Sequence, residues 1–169
     1  MIRPITVHTW SPLSMGLYNA VNHLAATASA TYPTANMALY VPFWLPTPLT
    51  AIQMFVFNGA TVSGNIDVGI YAADGTRIVS SGSTAQAGTN ALQAFDITDT
   101  LLGPGNYYLA IAADNTTGTQ FRTTFAARHA AGQGCFTQAS AFALPATATF
   151  ATVSAGSIPA FGFSTRAVL

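Results

Sequence analysis

This sequence predicts an all-β fold, an antiparallel β-sandwich or jelly roll with an N-terminal arm. Three observations carry that expectation. Short runs alternate apolar and polar residues with a period of two, as a strand with two different faces requires. The runs are separated by turn pairs that tolerate unusual backbone angles: Asn58-Gly59, Asp74-Gly75 and Gly103-Pro104-Gly105. The runs also recur at spacings of roughly ten residues, the rhythm of a sandwich or barrel.

The elements follow in order. Residues 1–37 are set apart as an arm or extension, and residues 38–169 as the sandwich domain. Within the arm, residues 14–28 offer a helical stripe of Leu17, Val21 and Leu24, but no charged residue that would solvate the outer face. An extended arm docked on a neighbour is the alternative. Tyr40-Val41-Pro42-Phe43-Trp44-Leu45-Pro46 is held extended by its prolines and expected at a sheet edge, because proline lacks a ladder donor. The strand 49–57 carries apolar residues on both faces (Ile52, Met54 and Val56 against Leu49, Ala51, Phe55 and Phe57), so cover on both sides is expected.

Residues 65–72 place Ile66, Val68 and Ile70 on one face and Asp67, Gly69 and Tyr71 on the other. Asp74-Gly75 is expected as the central pair of a primed turn leading into Thr76-Arg77-Ile78-Val79-Ser80, with Ile70 and Ile78 buried. Residues 80–90 read as a loop. The next strand, 91–98, opposes Gln93, Phe95 and Ile97 to Leu92, Ala94, Asp96 and Thr98. Residues 106–114 put Tyr107, Leu109, Ile111 and Ala113 on one face and Tyr108, Ala110 and Ala112 on the other, where small side chains suggest close approach of a neighbouring layer or subunit. A strand around Phe121, Thr123 and Phe125 follows, then a long loop over 128–147 with a short ordered piece. The last strands are expected at 148–153 and 159–165.

Charge bounds the function. The chain has 169 residues, of which five are Arg and five Asp, with no Lys and no Glu; charged residues make up 6% against about 25% in ordinary domains. Zero net charge on so sparse a surface favours association. The same balance leaves no basic stripe for nucleic acid. No apolar run is long enough for a membrane helix, so no membrane partner is expected.

Catalytic and metal-binding patterns are missing. His8, His23 and His129 stand far apart and away from metal-ligand spacing, and Cys135 is alone, so no metal and no cofactor are expected. No Gly-x-Ser-x-Gly occurs, and a phosphate loop cannot be built without lysine. The five aspartates sit in turns, at strand ends or on alternating faces, and there is no Glu to act as general acid. Asn115-Thr116-Thr117 matches the glycosylation pattern but reads as a turn. The chain is therefore expected not to be an enzyme. Its most distinctive segment is the aromatic stretch at 40–46. Tyr40, Phe43 and Trp44, with Tyr108, are the candidate interface or glycan-stacking residues.

Four stretches carry a resemblance: Tyr40-Val41-Pro42-Phe43-Trp44-Leu45-Pro46, Gly64-Asn65-Ile66-Asp67-Val68-Gly69-Ile70-Tyr71, Asp96-Ile97-Thr98-Asp99-Thr100, and Leu102-Gly103-Pro104-Gly105-Asn106-Tyr107-Tyr108-Leu109-Ala110. Together they resemble a module of tailed-bacteriophage virion structural proteins: capsid decoration proteins, head fibres and tail-fibre domains. The resemblance implies a non-enzymatic protein of the virion, on the capsid surface in preference to the tail. It would decorate or cement the capsid as a homo-oligomer, with a trimer favoured, against the major capsid protein or other virion proteins. The alternative is a receptor- or glycan-binding module of a head or tail fibre, with host surface glycans as partners. No catalytic residue carries over from the resemblance.

Overall fold

The computed structural model describes residues 17–19, 28–124, 132, 134–152 and 157–167. Their regular elements are fourteen β-strands: β1 (Leu17–Asn19), β2 (Ala28–Thr31), β3 (Met37–Leu45), β4 (Leu49–Phe57), β5 (Asn65–Ala72), β6 (Arg77–Ser80), β7 (Thr84–Ala85), β8 (Leu92–Leu102), β9 (Gly105–Ala113), β10 (Thr119–Thr124), β11 (Phe136–Gln138), β12 (Ala151–Thr152), β13 (Ser157–Pro159) and β14 (Phe161–Ser164). They form three antiparallel sheets. One runs β1-β14-β4-β8, a second β12-β11-β3-β9-β5-β6 with β7 beside β5, and a small third β13-β10-β2.

The alternation seen in the sequence decides what fills the sandwich. Ile66, Val68 and Ile70 of β5, Leu109, Ile111 and Ala113 of β9, and Leu39 and Val41 of β3 point inward from the large sheet. Met54, Val56, Phe95, Phe161 and Phe163 meet them from the four-stranded sheet. Phe43 and Phe163 join the layers directly, with ring centroids 5.6 Å apart. The core is closed by Tyr32, whose hydroxyl shares its single proton between the carbonyls of Met37 and Ile111, 2.9 and 2.8 Å away. Burial raises its pKa far above the usual tyrosine range.

The other face of the large sheet is covered too. Ala38, Tyr40, Tyr71, Ala110 and Ala112 lie beneath a segment of the same chain, residues 139–150, which contributes Ala141, Leu144, Ala148 and Phe150. This is the close approach that the small side chains of β9 foreshadow, and the covering layer is intramolecular. Several hydrogen bonds hold the segment down: the Leu144 N–H donates to the Asp67 carboxylate at 3.0 Å, Arg77 N–H to the Ala146 carbonyl at 2.9 Å, and Ala148 N–H to the Gly75 carbonyl at 2.8 Å. The Tyr71 hydroxyl donates to the Pro145 carbonyl, and the Arg77 guanidinium to the Leu144 carbonyl.

Several local expectations are corrected. Of the region read as a helix or an extended arm, 17–19 is a strand on β14 and residue 28 opens β2 on β10; residues 14–16 and 20–27 lie outside the described residues. Residues 40–45 belong to β3, which is interior in its sheet only as far as Tyr40 and edge beyond it, so the edge expectation fails for Tyr40 and holds for Pro42. Proline is admitted there because β11 pairs only with Ala38, Leu39 and Tyr40, so from Val41 onward β3 has β9 alone as a neighbour. The β5–β6 turn is one residue longer than expected. The Gly75 N–H donates to the Ala72 carbonyl, so Ala73 and Asp74 are the central pair, and Gly75 follows at φ 89° with a bulge in the ladder. A bulge at Ile78 then offsets the extra turn residue: Tyr71 pairs with Arg77 but Ile70 with Val79, so Val79 packs on the core and Ile78 is 38% exposed. Asn58-Gly59 is not a tight hairpin; Asn58 is buried, and Gly59 lies so close to Ser29 and Thr119 that a Cβ would collide with both hydroxyls.

Candidate functional site

At one end of the large sheet β3 and β9 run on past β11. Their register is unbroken, pairing Pro42 with Tyr108, Phe43 with Tyr107 and Trp44 with Asn106. Beside them β5 ends with Ala72 opposite Tyr107, and the turn at Ala73 begins. The result is an open depression of about 540 Å³ lined by Pro42, Phe43, Trp44, Ala73, Asn106, Tyr107 and Tyr108. No charged side chain lines it.

Three of the four candidate residues meet here. Trp44 points outward and is 63% exposed. Phe43 turns toward the core and stacks on Tyr107, with centroids 5.5 Å apart and planes at 27°. Tyr107 is fixed in turn by its hydroxyl, which donates to the Gly103 carbonyl at 2.9 Å. Tyr108 is half-buried and backed by Phe150 at 4.7 Å and Phe136 at 6.0 Å. The fourth, Tyr40, is separated from the groove. It has no exposed surface, sits edge-on to Tyr71 and Phe150 at 5.2 Å each, and donates its hydroxyl to Gln138 Oε1 at 2.9 Å. Burial pushes its pKa up to about 12. Tyr40 therefore anchors the covering segment and has no face to offer a ligand.

Sequence reading did not single out Asn106, Tyr107, Pro42 or Ala73 as site residues. Asn106 becomes visible only as the cross-strand partner of Trp44, and that pairing is set by the β3–β9 register. Alternation set Tyr107 on the face of Leu109, Ile111 and Ala113, and there it packs against the core while also lining the groove.

The titratable groups elsewhere serve structure. Asp67 is buried with its carboxylate on the Leu144 N–H and 3.4 Å from the Ser81 hydroxyl; burial raises its pKa, opposed by the Leu144 N–H, the nearby Arg77 charge and the serines. Asp74 closes its own turn by accepting from the Thr76 N–H at 2.9 Å, which holds its carboxyl below the usual range. Asp114 accepts from Asn65 N–H at 3.0 Å, and Asp96 and Asp99 lie exposed on the edge strand β8. Asn115 Oδ1 accepts from the N–H groups of Thr117 and Gly118, so the glycosylation-like triplet is an Asx turn. Cys135 is buried, and burial raises its thiol pKa, away from nucleophilic behaviour. His8, His23 and His129 lie outside the described residues.

Among the described residues no group of three His, Cys, Asp or Glu side chains gathers as a metal site, and no helix is long and apolar enough to cross a membrane. Opposite the groove, at the far end of β5, a buried amide network fixes the loops: Asn58 donates to Gln93 Oε1 at 2.9 Å, and Gln86 donates to Asn58 Oδ1 and to the Thr119 carbonyl, both at 2.8 Å. Compared with protein-family models, curated proteins and solved structures, the chain matches none.

Proposed function

We propose that this chain is a non-enzymatic virion structural protein that works by surface contact, decorating or cementing a phage capsid as a homo-oligomer. The observation that carries the reading is its surface. With ten formal charges on 169 residues, the exposed positions are mostly Ser, Thr, Ala, Asn and Gly, and little electrostatic repulsion keeps copies or neighbours apart. A decoration protein hides its rings and presents small polar side chains. Here the large exposed apolar residues, among those described, are Trp44, Ile78 and Leu101.

A trimer remains the favoured assembly, since closed symmetry is the usual way to bury such a surface. The face of Ala110 and Ala112 is already filled by the chain's own covering segment, so it is not available as an interface. Among the described residues, the Trp44 end of the sheet and the outer edge of β8 are surfaces open to contact, and the N-terminal arm is a further candidate. Sedimentation at micromolar concentration, with and without purified capsids, tests the proposal. Oligomers that co-sediment with capsids support it; a monomer that leaves capsids untouched refutes it. The glycan-binding alternative is favoured by one observation, the exposed indole in an uncharged aromatic groove.

A further inference from the structure

We propose that the groove at the end of β3 and β9 is a subsite for one neutral pyranose ring, stacked on Trp44 and hydrogen-bonded by Asn106 and Tyr108. The assignment deepens the glycan-binding alternative and does not depend on the capsid reading; a decorating protein can carry such a site.

The argument begins with Trp44. Among the described residues the other aromatic rings are buried or half-buried, yet the indole stands 63% exposed, near the end of β3 but still paired with β9. Exposed aromatic side chains with a polar handle are the groups that recognition surfaces use as anchors. Asn106 lies directly across the ladder from Trp44 and is exposed. Among the described residues, none engages the Asn106 carboxamide, the Tyr108 hydroxyl or the Trp44 indole N–H. The site thus offers an apolar plane flanked by uncommitted donors and acceptors: an amide that both gives and takes, and a hydroxyl that does the same. A pyranose has that pattern in reverse, with a face of C–H groups and a rim of hydroxyls.

The alternatives fit less well. No charged side chain lines the groove, and the adjacent Asp74 carboxylate is committed to Thr76. An anionic sugar or a nucleotide would find no counter-charge. A peptide adding a strand to β3 would meet Pro42, which has no N–H to donate. The site is also preorganised: its residues stand on a continuous ladder, Phe43 and Tyr107 are stacked, and Tyr108 is backed by Phe136 and Phe150. A ligand therefore loses little of its binding free energy to ordering the protein. The volume of about 540 Å³ falls within the range of small-ligand sites.

Saturation-transfer NMR on the full chain tests this, with methyl glycosides of glucose, galactose and mannose at millimolar concentration and sialic acid as the charged comparator. The expected result is transfer to the ring protons of at least one neutral glycoside and none to sialic acid. Trp44→Ala and Asn106→Ala should each weaken binding by about tenfold or more, Trp44→Phe should retain part of it, and all three should melt like the wild type because both positions are exposed. Silence from every neutral glycoside, binding that survives Trp44→Ala, or binding of sialic acid alone overturns the proposal. So does protection of Trp44 by self-association that the glycosides do not relieve. Capsid co-sedimentation of the same Trp44→Ala protein separates the two readings: loss of sugar signal with capsid binding retained leaves each to stand or fall on its own.

Discussion

Gly69 gives the sharpest test of how the covering segment is packed. It sits inside β5, paired with Ala110 on one side and Ser80 on the other. A Cβ placed there would lie 2.8 Å from the Val79 carbonyl oxygen, 3.0 Å from Ser80 Cβ and 3.1 Å from Leu144 Cδ1. The first obstacle is backbone and the second is tied to the neighbouring strand, so neither can swing aside. Overpacking of this kind costs ~1–3 kcal/mol. Alanine also narrows the unfolded ensemble, which returns ~0.4–1 kcal/mol. The net loss for Gly69→Ala is therefore roughly 0.5–2 kcal/mol, and at ~2–4 °C per kcal/mol for a chain of this size the melting temperature should fall by roughly 1–8 °C. Calorimetry or dye-monitored melting measures it. Gly103→Ala is the control: nothing lies within 4 Å of its Cβ and its φ is not positive, so it should melt at or above the wild-type temperature. Leu144→Ala should cost ~2–5 kcal/mol as a buried truncation. Because it removes one of the three obstacles, the double variant should depart from additivity by roughly 0.5 kcal/mol or more. A Gly69→Ala protein as stable as wild type would refute the close fit around Gly69, and strict additivity with Leu144→Ala would refute the claim that residues 139–150 press on this face.

Three further outcomes are expected. The raised pKa of Asp67 means that its contribution is fully favourable below the ordinary carboxylate pKa and is lost as pH rises through the folded-state value; Asp67→Asn should gain stability relative to wild type as pH climbs from about 4 toward neutral, and the two should converge in acid, as melting temperatures across pH will show. Gly75→Val should cost on the order of 1–2 kcal/mol, because a β-branched residue resists φ 89° and its Cβ would meet the Ala148 carbonyl at 3.2 Å; denaturant unfolding measures it. Asn58→Ala should cost ~1–3 kcal/mol by leaving the Ala87 carbonyl without its side-chain donor and Gln86 with one acceptor in place of two, read from the same unfolding curves.

Strand identity and facing were legible in the sequence wherever alternation was strict. Ile66, Val68 and Ile70 point to the core, as do Leu109, Ile111 and Ala113, while Asp96 and Thr98 point to solvent; each follows from a period of two that is written locally and needs no partner. The small-residue face of Ala110 and Ala112 announced that something would lie close upon it. What lay there was not legible, because the covering residues come from 139–150, a stretch that reads as loop to 147 and as the start of a strand at 148, until Asp67, Arg77 and Gly75 supply partners for its backbone.

Register and neighbours were decided by the tertiary structure. In the β5–β6 hairpin a bulge at Ile78, between the Tyr71–Arg77 and Ile70–Val79 pairs, turned Ile78 outward and set Val79 on the core. Pro42 stands on an open edge of β3 because β11 stops at Tyr40, and the length of a neighbouring strand is not a property of residues 40–46. The same ladder that buries Tyr40 under the covering segment carries Trp44 beyond it and sets it opposite Asn106, sixty-two positions along the chain. A local pattern fixes which way a side chain faces; only long-range pairing fixes what it faces.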